Sequence, residues 1–405
     1  MTLRTVILAS VTILGLGLTS LAHAELLVVG TDGHQPPEPG EQPSRVPDTV
    51  TVVDFSKGVA RIMGSVAAPA SIIGPALSVV VAPNERWAVV SASTKGDPAD
   101  LTKTLPDSVL SVIDISTPAR PRVTQTLQAG KQVYSIALNK AATLLLAANN
   151  LDDSVSVFTV ANGTLTPAGK VQLPELSRPN SVGFFPDGRS AFVMTSGPTG
   201  LQRLTVNGST VTLAGPIANV GSSIALLTPN GRLAITNAAM RSDTPPAAPA
   251  AGTPAGAPAA GRGPGLPTPA TASLIDVATG NAIATAPLGV GPEGITLSPD
   301  GTMLAAVLIN GSRGVRTAPT FNDFGLLKLY RVTPTSLTQV AEAQTGHWCQ
   351  NAVWARDNRT LLVTCAVEKE VQVYRYDGNA TVTRDAAAAL KFEARPAAMA
   401  TASSR

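Results

Sequence analysis

Short apolar runs separated by polar turns recur along the whole chain, a pattern that predicts strands joined by hairpins rather than long helices. One turn-like element separates two such runs at six places: Ala82-Pro83-Asn84-Glu85, Leu138-Asn139-Lys140-Ala141, Phe185-Pro186-Asp187-Gly188, Thr228-Pro229-Asn230-Gly231, Ser298-Pro299-Asp300-Gly301 and Ala355-Arg356-Asp357-Asn358. Proline presets φ at the first turn position, and Asp-Gly or Asn-Gly tolerates positive φ, so this is hairpin chemistry. Between residues 83, 139, 186, 229, 299 and 356 the spacings are 56, 47, 43, 70 and 57, a repeat with one outlier.

A further apolar run follows in every unit and often ends in aspartate, as in Thr51-Val52-Val53-Asp54, Ser111-Val112-Ile113-Asp114 and Ser273-Leu274-Ile275-Asp276. Equivalent runs start at Ser156, Gln202, Lys328 and Gln372, which makes seven copies against six turns. The mismatch is resolved at the termini. Leu26-Leu27-Val28-Val29-Gly30 reads as a second strand with no first strand before it, and Arg395-Pro396-Ala397-Ala398-Met399-Ala400 reads as a first strand with no turn after it. Pairing the two closes a ring and removes a free sheet edge. The expectation is an all-β, seven-bladed β-propeller of four-stranded blades, its C-terminal strand paired with N-terminal strands.

The outlying spacing contains Pro245-Pro246-Ala247-Ala248-Pro249 and further Ala, Gly and Pro through Pro269. Such a stretch has neither strand periodicity nor large apolar groups, so residues 244–271 are expected to form an extended or disordered insertion within the fifth blade. Residues 1–24 read as a signal peptide: Arg4, an apolar run over 6–18, and Ala22-His23-Ala24 as the cleavage motif. Residues 25–405 then form one domain, periplasmic or secreted, monomeric and without a transmembrane segment.

Composition narrows the function classes. Charged residues are 14% of the chain and the net charge is +3, with no basic cluster, which argues against a nucleic-acid partner. The two cysteines, Cys349 and Cys365, flank one turn with residue 357 midway, so antiparallel pairing sets them opposite each other, and an exported compartment favours a disulfide.

The Pro-Asp-Gly turns and the V-x-V-[IVF]-D run resemble the YVTN-type and lactonase-like seven-bladed propellers over nearly all of the chain after residue 24. That resemblance implies either a lactonase or cycloisomerase acting on small acids, or one of the family's many exported proteins of unassigned activity. Trp-Asp repeats and Cys-x-x-Cys-His are absent, so neither a WD-repeat scaffold nor covalent haem is expected. Gluconolactonase-type propellers bind a divalent cation through Glu, Asn and Asp of inner strands. The matching oxygens here are Glu293, Asn180 and Asn351, one carboxylate short of a convincing set, and no cofactor or metal is assigned.

In a propeller the entries of the innermost strands share one channel mouth. Those entries carry Lys131, Arg178 and Asn180, Glu293, His347 and Arg395. Arg178 and Arg395 suit carboxylate forks and Lys131 a point charge, so the leading expectation is binding of a small acidic molecule, or a partner, at the mouth. The alternative is lactone hydrolysis or cycloisomerisation with His347 and Glu293 in proton transfer. A protein-interaction platform is the third reading.

Overall fold

The turns fold as their residues dictate. In Phe185-Pro186-Asp187-Gly188 the Asp187 carboxylate accepts the Arg189 and Ser190 N–H groups at 2.8 and 2.9 Å, and Gly188 takes φ +66°. Asp300 and Asp357 do the same for Thr302, and for Arg359 and Thr360. Each of the six hairpins holds one residue at positive φ: Glu85, Ala142, Gly188, Gly231, Gly301 or Asn358. The aspartate closing the other recurrent run caps the next turn: Asp54 accepts from Ser56 N, Asp114 from Ser116 N, and Asp276 from Ala278 and Thr279 N.

The computed structural model describes residues 25–38, 45–56, 59–221, 224–237 and 269–403. They form seven four-stranded antiparallel sheets. Blade 1 orders β28 (Arg395–Thr401), β1 (Leu26–Asp32), β2 (Thr49–Asp54) and β3 (Arg61–Ala67). Blade 2 is β4 (Val79–Val81), β5 (Trp87–Gly96), β6 (Thr104–Asp114) and β7 (Arg122–Gln128); blade 3 is β8 (Val133–Leu138), β9 (Leu144–Asn149), β10 (Ser154–Ala161) and β11 (Thr164–Gln172). Blade 4 is β12 (Pro179–Phe184), β13 (Ser190–Thr195), β14 (Leu201–Asn207) and β15 (Thr210–Ala218); blade 5 is β16 (Ala225–Leu227), β17 (Leu233–Thr236), β18 (Ala270–Asp276) and β19 (Ala282–Gly289). Blade 6 is β20 (Pro292–Leu297), β21 (Met303–Leu308), β22 (Gly325–Thr333) and β23 (Ser336–Thr345); blade 7 is β24 (Cys349–Trp354), β25 (Thr360–Cys365), β26 (Glu370–Tyr376) and β27 (Val382–Lys391).

The inner strands β28, β4, β8, β12, β16, β20 and β24 touch in succession round the ring, and Leu27 to Gly30 of β1 pair with Thr401 to Ala398 of β28. The expected closure is therefore present. Second strands such as β9, β21 and β25 are buried along their whole length, whereas the outer strands β3 and β7 alternate with solvent. The apolar clusters lie between blades: Val28 and Val52 of blade 1 pack with Val79, Val90 and Ile113 of blade 2, each buried side chain contributing about 1.5–3 kcal/mol. The expected insertion lies between β17 and β18 of one blade; residues 238–268 fall outside the described residues, and Ala270 and Thr271, expected within the insertion, already belong to β18. The expected signal peptide also lies outside them. Among the described residues no helix is long and apolar enough to cross a membrane.

Cys349 and Cys365 are a register pair of β24 and β25 and form a disulfide, both fully buried. It ties the inner strand of blade 7 to its neighbour across a 16-residue separation. Replacing both cysteines by alanine should lower the unfolding free energy by about 3 kcal/mol. A denaturant midpoint unchanged from wild type would contradict this.

Candidate functional site

Entry into an inner strand requires a sharp change of direction. Gln132, Arg178, Gly291 and Trp348, each directly ahead of an inner strand, all adopt positive φ, at 58°, 52°, 63° and 48°. For a residue as bulky as Trp348 this conformation is strained and needs surrounding contacts to hold it. Those contacts build the site.

Trp348 is buried, and the Arg313 guanidinium lies 3.5 Å from its ring centroid, with Arg395 at 5.8 Å. Arg313 comes from the 309–324 loop between β21 and β22; its Nε is 3.7 Å from Glu38 Oε1. Arg395, at the start of β28, donates to Pro36 O at 3.0 Å. Ser312 Oγ accepts the Trp348 backbone N–H at 3.1 Å. The Gln350 amide satisfies both its ends when its nitrogen donates to Ile72 O (3.1 Å) and its oxygen accepts the Trp348 indole N–H (3.0 Å). In that orientation an oxygen faces Glu293 Oε2 at 3.3 Å, a contact that is favourable when Glu293 carries a proton. Burial pushes the Glu293 carboxyl up to about 7, against the opposing pull of the Arg313 charge.

The β3–β4 connector crosses this mouth. Ile72 N donates to Asp32 Oδ2 on blade 1, Asn351 Nδ2 on blade 7 donates to Ala76 O, and Leu77 bridges to Ser135 on blade 3. Ile72 packs with Trp348. Glu293, Arg395, Arg313 and Trp348 are thus gathered on the side of blades 6, 7 and 1. Lys131, Arg178 and Asn180 sit at the entries of blades 3 and 4, opposite blade 7 in a seven-membered ring and beyond the connector. Lys131 N and Arg178 N donate to Asp152 and Asp153, and Asn180 Oδ1 accepts from Asn150 Nδ2 at 2.9 Å. The five expected ionisable groups thus fall on two arcs of the ring, Lys131 and Arg178 on one and Glu293, His347 and Arg395 on the other. Of the three oxygens considered for a divalent cation, Asn180 Oδ1 accepts from Asn150 Nδ2, while Glu293 lies at the entry of blade 6 and Asn351 on the inner strand of blade 7.

His347 is not paired with Glu293. Its Nδ1 is 2.6 Å from Glu368 Oε1 and its Nε2 is 2.9 Å from Asp323 Oδ1, with Phe321 stacked on the ring. Burial pulls its pKa down, but the bonds to Glu368 and Asp323 outweigh this and hold it above the ordinary histidine value.

Sequence reasoning left His34 in an open loop, yet it is buried. His34 Nδ1 lies 3.2 Å from Asp32 Oδ1 and 3.0 Å from Asp48 Oδ1, and Nε2 is 3.2 Å from Thr94 Oγ1. Burial lowers its pKa, but Asp48 and Asp32 together raise it above the ordinary value. From Thr94 hydroxyl contacts continue through Ser71 and Ser93 to Ile73 O, so this network anchors the connector. The signal was available: Asp32 ends one strand and Asp48 precedes its antiparallel neighbour, so their side chains converge. Arg313 had no such signal, because its loop has no periodicity.

A cavity of about 310 Å³ lies on the opposite face between blades 4 and 5, lined by Phe185, Asp187, Arg203, Arg232 and Asp276. Its carboxylates cap their own turns and Arg203 sits on the Phe185 ring, so it offers no group arranged for chemistry.

No family model and no curated protein matches the chain. Solved structures do. A Bacteroides fragilis protein provisionally named a 6-phosphogluconolactonase is 15% identical, with 93% of this chain and 98% of that chain covered, at a TM-score of 0.65. The periplasmic gluconolactonase of Pseudomonas aeruginosa gives 15% identity, 93% and 99% coverage and a TM-score of 0.64. A Bacteroides uniformis protein with the same provisional name as the first gives 18%, 93% and 99%, and 0.64. The likeness is one of fold. The YVTN-type assignment rests on the turn and strand motifs alone.

The raised Glu293 pKa makes stability pH-dependent. Its folded value exceeds the unfolded one, so stability present below about pH 4.5 is lost as pH rises through about 7, by about 3 kcal/mol in total. Glu293→Gln cannot titrate, and should gain stability relative to wild type over that window in denaturant unfolding. Parallel pH profiles would contradict the assignment.

Proposed function

We propose that the protein is a lactonase acting on a small organic-acid lactone at the blade 6–7–1 side of the mouth, outside the cytoplasm. The observation that carries this is Glu293: a partly buried carboxyl with a pKa near 7, beside Arg313 at a mouth that also holds Arg395. A general base is most effective when its pKa lies near the working pH, because it is then both available and basic. The fold shared with a periplasmic gluconolactonase supports this reading over simple acid binding. The buried disulfide supports an oxidising compartment.

In this reading ionised Glu293 takes a proton from a water as the water's oxygen bonds to the lactone carbonyl carbon. The carbonyl oxygen becomes an oxyanion, and the guanidinium groups of Arg313 and Arg395 supply the positive charge that stabilises it. Collapse breaks the ring C–O bond, and protonated Glu293 returns its proton to the departing alkoxide. The product is a hydroxy acid whose carboxylate suits the same guanidinium pair. No metal is required by this sequence of steps.

A panel of aldonolactones and simple γ- and δ-lactones, followed by pH-stat, tests it. Wild type should turn over at least one member, and Glu293→Gln should lose about 10²- to 10⁴-fold in kcat/KM while remaining folded. Background hydrolysis across the panel, combined with thermal stabilisation by the corresponding acids, would replace the lactonase reading with non-catalytic acid binding.

A further inference from the structure

We propose that His347 is a positioning residue: clamped between Glu368 and Asp323, it holds down the 309–324 loop and so fixes the Arg313 guanidinium on Trp348 beside Glu293. The kinetic consequence rests on the lactonase reading; the clamp itself does not.

The loop has no regular structure. At its base Ile309 N and Asn310 N donate to Gly291 O and Val290 O, and Asn322 Nδ2 donates to Asn310 O. Those contacts stay within blade 6 and its entry. Contacts that dock the loop on blade 7 converge on one dipeptide: Asp323 and Phe321 meet His347, while Ser312 and Arg313 meet Trp348.

Glu368, in the turn between β25 and β26, sets the histidine from two directions. It accepts the His347 backbone N–H at 2.9 and 3.0 Å and faces Nδ1 at 2.6 Å. The ring orientation is thereby fixed, with Nε2 aimed at Asp323. The charged and titratable groups facing the ring are Glu368 from blade 7 and Asp323 from the blade 6 loop, with Arg316 behind Asp323 at 2.9 Å. Two carboxylates on two ring nitrogens require a proton on each, so the clamp is an imidazolium.

Loss of a proton breaks one side only. Glu368 keeps Nδ1–H because it is held by the backbone as well. Asp323 is 70% exposed and has Arg316 as its other partner, so it is the contact that releases. The loop then keeps its base and the Ser312 and Arg313 contacts with Trp348 but loses its His347 tether, and Arg313 is held less tightly beside Glu293. The sign follows: the folded pKa of His347 is raised, so the tether is complete at low pH and is lost as pH rises through that value.

Hydrogen exchange of the full chain, read on peptides covering 309–324 and corrected for intrinsic rates, tests the clamp at about pH 6 and about pH 9. In wild type the loop should exchange about tenfold faster at the higher pH. His347→Gln and Asp323→Asn should exchange fast at both pH values while peptides in β20 and β24 stay protected. Equal protection of the loop in wild type and both variants, at both pH values, would overturn the proposal. A second readout separates positioning from mere packing: releasing Arg313 removes a charge that lowers the Glu293 pKa, so that value should move upwards in His347→Gln. No movement there would also overturn it. If a lactone is turned over, kcat/KM of His347→Gln should fall about 10- to 100-fold and lack the alkaline decline that release of the clamp should give wild type. If no lactone is turned over, the exchange and Glu293 measurements still decide the clamp.

Discussion

Pairing of β28 with β1 is the constraint on which the rest depends. An open array of seven sheets would leave an inner edge unpaired and its apolar faces half covered. Closing it through Leu27 to Gly30 and Thr401 to Ala398 makes every blade the neighbour of two others, which is why the apolar clusters form between blades rather than within them. Closure also sends every inner strand in from the same face. Loops far apart in sequence, around residues 34, 72, 313 and 348, then meet at one mouth in a chain where only 14% of residues are charged.

At that mouth burial and pairing compete, and the outcome differs by residue. At Glu293 burial outweighs the pull of the one guanidinium acting on it, and the carboxyl is raised. His34 is buried and His347 partly so, but each faces two carboxylates, and there pairing prevails. The result is a division of labour: two histidines paired with carboxylates, one at the connector and one at the loop, and one carboxyl that titrates near neutrality.

Much of the architecture was legible because it rests on local rules repeated seven times. The aspartates of Pro-Asp-Gly turns cap those turns, the aspartates ending the recurrent third run cap the next, and unpaired terminal runs announced ring closure. The disulfide followed from hairpin register. The site was legible only in part. Entry positions located Glu293, His347 and Arg395, but spacing along the chain carries no information about which side of a ring a blade occupies. Lys131, Arg178 and Asn180 were therefore grouped with residues whose blades lie on the opposite arc of the ring. Arg313 and the Asp32–His34–Asp48 group escaped because irregular loops carry them, and their burial comes from contacts with other blades rather than from their own pattern.

The central claim is that the Glu293 carboxyl, partly buried beside Arg313, is the group that titrates near neutral pH. Infrared difference spectroscopy between wild type and Glu293→Gln, following the protonated-carboxyl stretch through a pH titration, measures it directly. The account predicts that this band belongs to Glu293 and disappears with a midpoint near 7. A midpoint at the ordinary value of 4.5 would contradict it.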